Sequence, residues 1–279
     1  MLALLGARAV QALVVALVVG TLSFAMMETL PGDAAFRIAA ERYGYDAVDA
    51  AAAESVRAEL GLDAPAPARL LAWLGELATL DLGRSAVTGE PVVHEVGSQL
   101  GASAALALAA LAFALALALP VGVASGLRPG GVLDRASLVA ASVLRSVPAF
   151  ALGVVLILVF AVRLDWLPVR GHGEARHLVL PAATLGLVLA AALARVVRDA
   201  VATVSAAPYA RFARWKGLGE ARAFARHGAR NAVGPVAAWL GVQAALLIEG
   251  VVVIESVFAW PGIGHALVHA LFGRDVPVV

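Results

Sequence analysis

VGSQLGASAALALAALAFALALALPVGVASGL, residues 96–127, carries no charged side chain over 32 residues. A bilayer core about 30 Å thick is crossed by roughly 20 apolar residues in a helix, because no backbone group can be left unpaired there. The stretch therefore predicts a membrane-spanning helix, and its alanine runs, such as 106–119, read as helical bias rather than disorder. The remaining composition agrees. Of 279 residues, 61% are hydrophobic, and mean hydropathy is +0.88. With no cysteine, the chain is neither an ordinary soluble domain nor a disulfide scaffold.

Working outward, Ala9–Met27 is free of charge for 19 residues and Ala136–Val162 is interrupted only by Arg145. Leu178–Ala194 and Asn231–Ile254 follow, the last broken by Glu249. The expected architecture is one all-α polytopic transmembrane bundle over 1–279, with spans at 9–30, 98–127, 136–162, 178–203 and 231–257. Arg8 before the first span and the small-residue site Ser23-Phe24-Ala25 near its end resemble a signal peptide. The apolar run exceeds the usual 7 to 15 residues of such signals, so a retained helix is expected.

Charge placement orients the chain. Net charge near +1 gives no reason to expect nucleic acid as a partner. With the N-terminus inside, the inner segments carry Arg8, Arg128, Arg135 and the eight basic residues from Arg195 to Arg230. The short outer loops carry Arg163, Arg170, Arg176 and Arg274. Eleven against four predicts a cytoplasmic N-terminus. The insert 31–97 holds 11 of the 20 acids, from Asp33 to Glu95, and is expected outside, with short helices over 46–60 and 68–80. No internal repeat is present.

The inner loop 204–230 is unusually long and basic. Pro208 suits a helix first turn, Tyr209 to Lys216 contains no breaker, and Gly217 and Gly219 end it. The resulting helix is only some 12 Å long, with Phe212 and Trp215 three residues apart on one face. On composition alone, a basic loop resting on anionic lipid and a knob seated in another protein are equal readings.

The run ARFARWKGLGEARAFARHGARNAVGP, residues 210–235, resembles the cytoplasmic loop motif of binding-protein-dependent ABC importer permeases of the dipeptide/oligopeptide/nickel branch. Six further blocks agree in order: TLPGDAA (29–35), ELGLDAPAP (59–67), LAWLGELATLDLGRS (71–85), RSVPAFALG (145–153), WLPVRG (166–171) and VVVIESVFAWPGIGHAL (251–267). The resemblance covers nearly the whole chain. It implies a channel-forming subunit in the bacterial inner membrane that pairs with a second homologous permease. Two ATPase subunits would bind below, and an extracytoplasmic solute-binding protein would deliver substrate: peptides, nickel chelates or related solutes. ATP and Mg would act on the ATPases, with no cofactor bound by this chain. Tyr209, Arg211, Phe212, Ala213, Trp215, Lys216 and Gly217 would form the coupling helix. Arg211 and Phe212 stand where the wider superfamily has an acid and an alanine, as the peptide branch does. The sixth span usual in these permeases is expected at RDVPVV and is missing there, which the resemblance reads as a truncated product, a fragment or a shortened natural form.

Energy must come from elsewhere, since the one lysine, Lys216, is followed by Gly217 and no phosphate loop is present. Arg145, with Ser146 and Pro148, is a candidate for the passage or a gate, because a central arginine costs at least ~2.5 kcal/mol unless it faces the interior. Glu249 is its candidate partner, at a position where the family has a small or apolar residue. Glu255 matches the family's acid and reads either as a solvated interfacial carboxylate or as a substrate contact. Phe258 and Trp260 read as an outer anchor. His265 and His269 share a helical face without a third metal ligand, and His94, His172, His177 and His227 show no catalytic arrangement. The competing classes are a secondary carrier, which should carry ionisable residues in several spans and an inverted repeat, an assembly factor, and an inactive remnant.

Overall fold

Every regular element of the computed structural model is helical apart from an isolated β-bridge between Arg84 and Pro91; the structure describes residues 2–279, without the side chains of 2, 3 and 248–250. Glu249 thus has its side chain outside the described residues. In order, the helices are α1 Leu2–Thr29, α2 Ala34–Tyr43, α3 Ala50–Glu59, α4 Ala66–Ala78, α5 Val92–Leu127, α6 Val132–Ser146, α7 Ala149–Leu156, α8 Ala175–Ala206, α9 Pro208–Trp215, α10 Glu220–Ala223, α11 Ala229–Phe258 and α12 Ile263–Gly273. A π-helical stretch Ile157–Arg163 extends α7, and another, Phe224–Gly228, joins α10 to α11. Among the described residues, α1, α5 and α8 are long and apolar enough to cross a membrane, and the number reaches five if two bent pairs each count as one span.

The residues group into two units, 101–265 and 1–100 with 266–279. In the first, the face of α5 that is buried repeats every fourth residue: Leu106, Ala110, Ala114 and Ala118 are all at most 1% exposed. Gly122 and Gly126 continue the series. A Cβ on Gly122 would lie 2.6 Å from Cβ of Val197, and one on Gly126 would lie 2.6 Å from the carbonyl oxygen of Arg198, both on α8. From the other side, a Cβ on Gly186 of α8 would meet Cδ1 of Phe113 at 2.7 Å. Small residues thus let two backbones approach closely, the usual basis of helix association in lipid. Leu193, Val197 and Val201 of α8 are buried against this seam.

The expected continuous span 136–162 is instead two helices, α6 and α7, bent by 100°. Pro148 has no amide hydrogen to continue α6, and the residue before a proline is pushed out of the helical region. Val147 accordingly sits at φ −94°, ψ 126°.

The second unit contains the insert, where three helices form. Asp33 caps α2 through Ala35 N at 3.0 Å, and Asp49 caps α3 through Ala52 N at 2.8 Å. Helix α2 falls outside the two short helices expected from the sequence; α3 and α4 lie within two residues of theirs, apart from the first turn at 46–49. Ala35, Ile38, Ala39, Val56 and Ala86 form a small core. Arg42 donates to Glu59 at 2.7 Å and holds that carboxyl below the usual carboxylate range. Asp275 is buried and accepts from Ser85 Oγ and from Ala86 N at 2.9 Å. Arg274, also buried, donates to the carbonyls of Leu30 at 2.8 Å and Pro31 at 2.6 Å. Residues 274–275 thus satisfy the end of α1 and the 85–87 turn.

Gly126→Leu should destabilise the chain by more than about 2 kcal/mol, because backbone as well as side chain must move. The measurement is thermal unfolding in detergent. Gly234→Leu, where no atom lies within 4 Å of the added Cβ, should leave the transition nearly unchanged.

Candidate functional site

Helix α8 ends where Ala207 turns to φ −63°, ψ 151°, and Pro208 opens α9 at once. Ala210 and Ala213 are buried, so α9 lies on its own unit through two small side chains. Tyr209, Arg211, Phe212, Trp215 and Lys216 are exposed, with Trp215 the most exposed at 83%. Four contacts hold this short rod. Asn231 Nδ2 donates to the Tyr209 hydroxyl at 3.0 Å, and Arg214 donates to the carbonyl of Ser205 at 3.0 Å. Lys216 Nζ lies 4.6 Å from the centre of the Phe212 ring, a cation–π contact.

The fourth contact is the cap. Gly217 has φ +87°, its N–H donates to Arg214 O at 2.8 Å, and Leu218 N donates to Ala213 O at 3.2 Å. These are the two hydrogen bonds of a Schellman motif, which needs a left-handed residue at the position after the helix. The seven loop residues singled out in the sequence therefore all lie on α9 and its C-terminal cap, six of them exposed and Ala213 buried.

At the α6–α7 bend, Ser146 Oγ donates to Ser142 O at 2.8 Å, and Leu152 N donates to Pro148 O at 3.1 Å, starting α7. Arg145 sits in the last turn of α6 and is exposed, whereas the sequence pattern has it facing the interior.

Glu255 requires a correction. It is not a solvated interfacial acid: its side chain is 0% exposed. Ser103 Oγ donates to Oε1 at 2.5 Å, and the amides of Gly264 and His265 donate to Oε2 at 2.8 and 3.2 Å. Ser103 Oγ in turn accepts from Ile263 N at 2.9 Å. Glu255 and Ser103 together satisfy the unpaired amides of the first turn of α12. Gly262 must be glycine beneath this carboxylate, since a Cβ there would lie 1.9 Å from Oε1. The carboxylate oxygens are occupied by these donors and are not presented to a pathway. Phe258 and Trp260 are likewise not an outer anchor, being 2% and 5% exposed. Phe258 packs on Gly153, and Trp260 Nε1 donates to Ala102 O at 2.9 Å.

A cluster that the sequence pattern does not reveal lies at the start of α6. Asp134 is buried and accepts from Arg198 Nη2 at 2.7 Å, Arg198 Nε at 3.0 Å, Arg195 Nη1 at 3.1 Å and Gly130 N at 2.8 Å. A bidentate guanidinium and a backbone amide thus fix the α5–α6 turn to α8.

Glu255→Ala should lower stability by about 3 kcal/mol, since it strands two backbone donors and a hydroxyl in a buried site. Ser103→Ala should cost about 1 kcal/mol. Thermal unfolding in detergent checks the order; equal or negligible effects would remove the capping role.

Residues 118–279 match the family of binding-protein-dependent transport system inner membrane components. Among similar proteins, the glutathione transport system permease protein GsiC of Pectobacterium atrosepticum is 38% identical over 263 residues, covering 94% of this chain and 84% of that protein. The protein of the same name from Escherichia coli K12 is 36% identical over 262 residues with the same coverage. With the match spanning more than half the chain and 84% of each relative covered, this multi-pass protein belongs to the binding-protein-dependent transport system inner membrane components, as a permease subunit of an ABC importer.

Proposed function

We propose that this permease is driven through α9, which seats its exposed aromatic face in a groove of a separate ATPase subunit. The observation that carries the reading is the construction of α9 itself. Two alanines fix its underside, a Schellman cap ends it, and Phe212 and Trp215 remain exposed on its outer side. Exposed aromatic anchors on a rigid support are the usual composition of an interface hot spot. A rigid short helix also suits force transfer, because it is pinned to the long helices by Asn231 and Ser205 and moves with them.

In this reading the N-terminus and α9 are cytoplasmic, in keeping with the lysine and arginine excess of the inner segments, and the acidic insert is extracytoplasmic. A second homologous permease completes the channel, two ATPase subunits hydrolyse ATP-Mg, and a soluble binding protein delivers substrate. Closure of the ATPases would rock the helices between inward-open and outward-open states. The α6–α7 bend at Ser146 and Pro148, with the exposed Arg145 just before it, is the candidate pathway element, because broken backbone at membrane depth is tolerated only where it is buried in protein or lines a water-filled cavity. Small peptides are the proposed substrate class, supported by the glutathione transport named for the relatives.

The chain has no cysteine, so single-cysteine variants need no background changes. Trp215→Cys should cross-link to the ATPase in membranes, and Arg170→Cys should not. Trp215→Asp should weaken co-purification of the ATPase by at least about tenfold, the scale of a buried aromatic anchor. Cross-linking from position 170 and not from 215 would place α9 on the wrong side of the membrane and end the reading.

A further inference from the structure

The second basic element of the loop has no role in the coupling described above. Between Asp199 and Glu249 the sequence has one acid, Glu220, against six arginines and lysines. The cations divide into two groups. On α9, Arg214 is turned onto the Ser205 carbonyl, Lys216 onto the Phe212 ring, and Arg211 is exposed beside the aromatic pair. Arg222, Arg226 and Arg230 are all exposed, and none forms an ion pair among the described residues. They recur every fourth residue along the continuous helical run from Glu220 to Phe258, so they share one face over about 12 Å. Gly228, two residues from both Arg226 and Arg230 and so on the opposite side of the helix, is buried against Val204 of α8.

The remainder of that face identifies the partner. In steps of three and four from Arg230, the exposed positions are Val233, Gly234, Ala237 and Gly241. The face is cationic up to residue 230 and apolar from 233 onward, with Val233 60% exposed. An exposed apolar helix face belongs in the hydrocarbon, and guanidinium groups one turn below it lie at the depth of lipid headgroups. Arginine forks match phosphate geometry bidentately.

We infer that Arg222, Arg226 and Arg230 form a docking stripe for the phosphate groups of anionic phospholipids, fixing the membrane depth of α11. The loop then has two surfaces with different partners: an aromatic one for protein on α9, and a cationic one for lipid on the α10–α11 run. The inference does not depend on α9 binding an ATPase.

The test uses the full chain purified in neutral detergent and exposed to phosphatidylglycerol and phosphatidylcholine in competition, with retained lipid counted by native mass spectrometry. The wild type should retain phosphatidylglycerol preferentially. The triple change Arg222→Gln, Arg226→Gln, Arg230→Gln should reduce that preference by at least about tenfold. The charge-matched control Arg163→Gln, Arg170→Gln, Arg176→Gln should keep it, and lysine at 222, 226 and 230 should restore most of it if the glutamine variant folds poorly. An unchanged preference in the triple variant, or an equal loss in the control, overturns the inference. So does loss of ATPase co-purification from the triple variant in lipid-free detergent with lipid preference intact, since the stripe would then be a protein contact. Trp215→Asp should keep the lipid preference, which separates failure of this inference from failure of the coupling role.

Discussion

The close approach of α5 and α8 is the constraint on which unit 101–265 depends. Inside lipid, burying one apolar side chain against another yields little, because the hydrocarbon outside is just as apolar. What distinguishes the packed state is the number of atoms brought to contact distance, and that number is largest where side chains are smallest. The four-residue repeat from Leu106 through Ala110, Ala114 and Ala118 to Gly122 and Gly126 supplies such a face. Helix α8 answers with Gly186 and with the backbone at Ala194 and Arg198. Since only Ala207 separates the end of α8 from the start of α9, the position of α9 is inherited from this seam.

Much of the architecture is legible in the sequence because its cause is local. Long charge-free runs at 96–127 and 178–194 need only composition to be read as spanning helices. Gly217 is legible as a stop because a left-handed residue after a helix is a one-residue requirement. The 100° break at Val147–Pro148 is half-legible: Pro148 announces a bend, whereas the packing of α7 through Gly153 against Phe258 and Thr184 involves other helices and is not visible locally. The stripe on α5 is visible only as an alanine-rich run, since small residues reveal which of them face a partner only when that partner is known. The first helix of the insert escapes notice because its apolar positions are mostly alanines between charges, and its core is completed by Val56 and Ala86 from further along the chain.

The least legible features are the buried acids, and for one physical reason. Asp134, Glu255 and Asp275 each accept at least one hydrogen bond from a donor remote in sequence: Arg198 is 64 residues from Asp134, Ser103 is 152 from Glu255, and Ser85 is 190 from Asp275. A lone acid near an apolar run looks like an interfacial or functional group, and Glu255 has that appearance in the sequence. In the folded unit it is the complement of a helix start, where first-turn amides lack intrahelical acceptors. Burial of a carboxylate is tolerable only when such donors are already in place. These acids therefore mark where the polypeptide turns back on itself, at the α5–α6 turn, before α12, and at residues 274–275.

The same reasoning separates the cations. An arginine whose fork is already spent on a carboxylate or a carbonyl is part of the scaffold, as are Arg195, Arg198 and Arg274. An arginine left exposed at the end of an apolar helix is available to a partner, and its depth is fixed by the helix that carries it. The segment 195–230 contains both kinds, so its summed charge, which marks this loop in the sequence, describes neither. Arg195 and Arg198 tie α8 to the α5–α6 turn and thereby fix the base from which α9 projects. Arg222, Arg226 and Arg230 face away from that base, so the loop is held from within by one set of guanidinium groups and presents another to its surroundings.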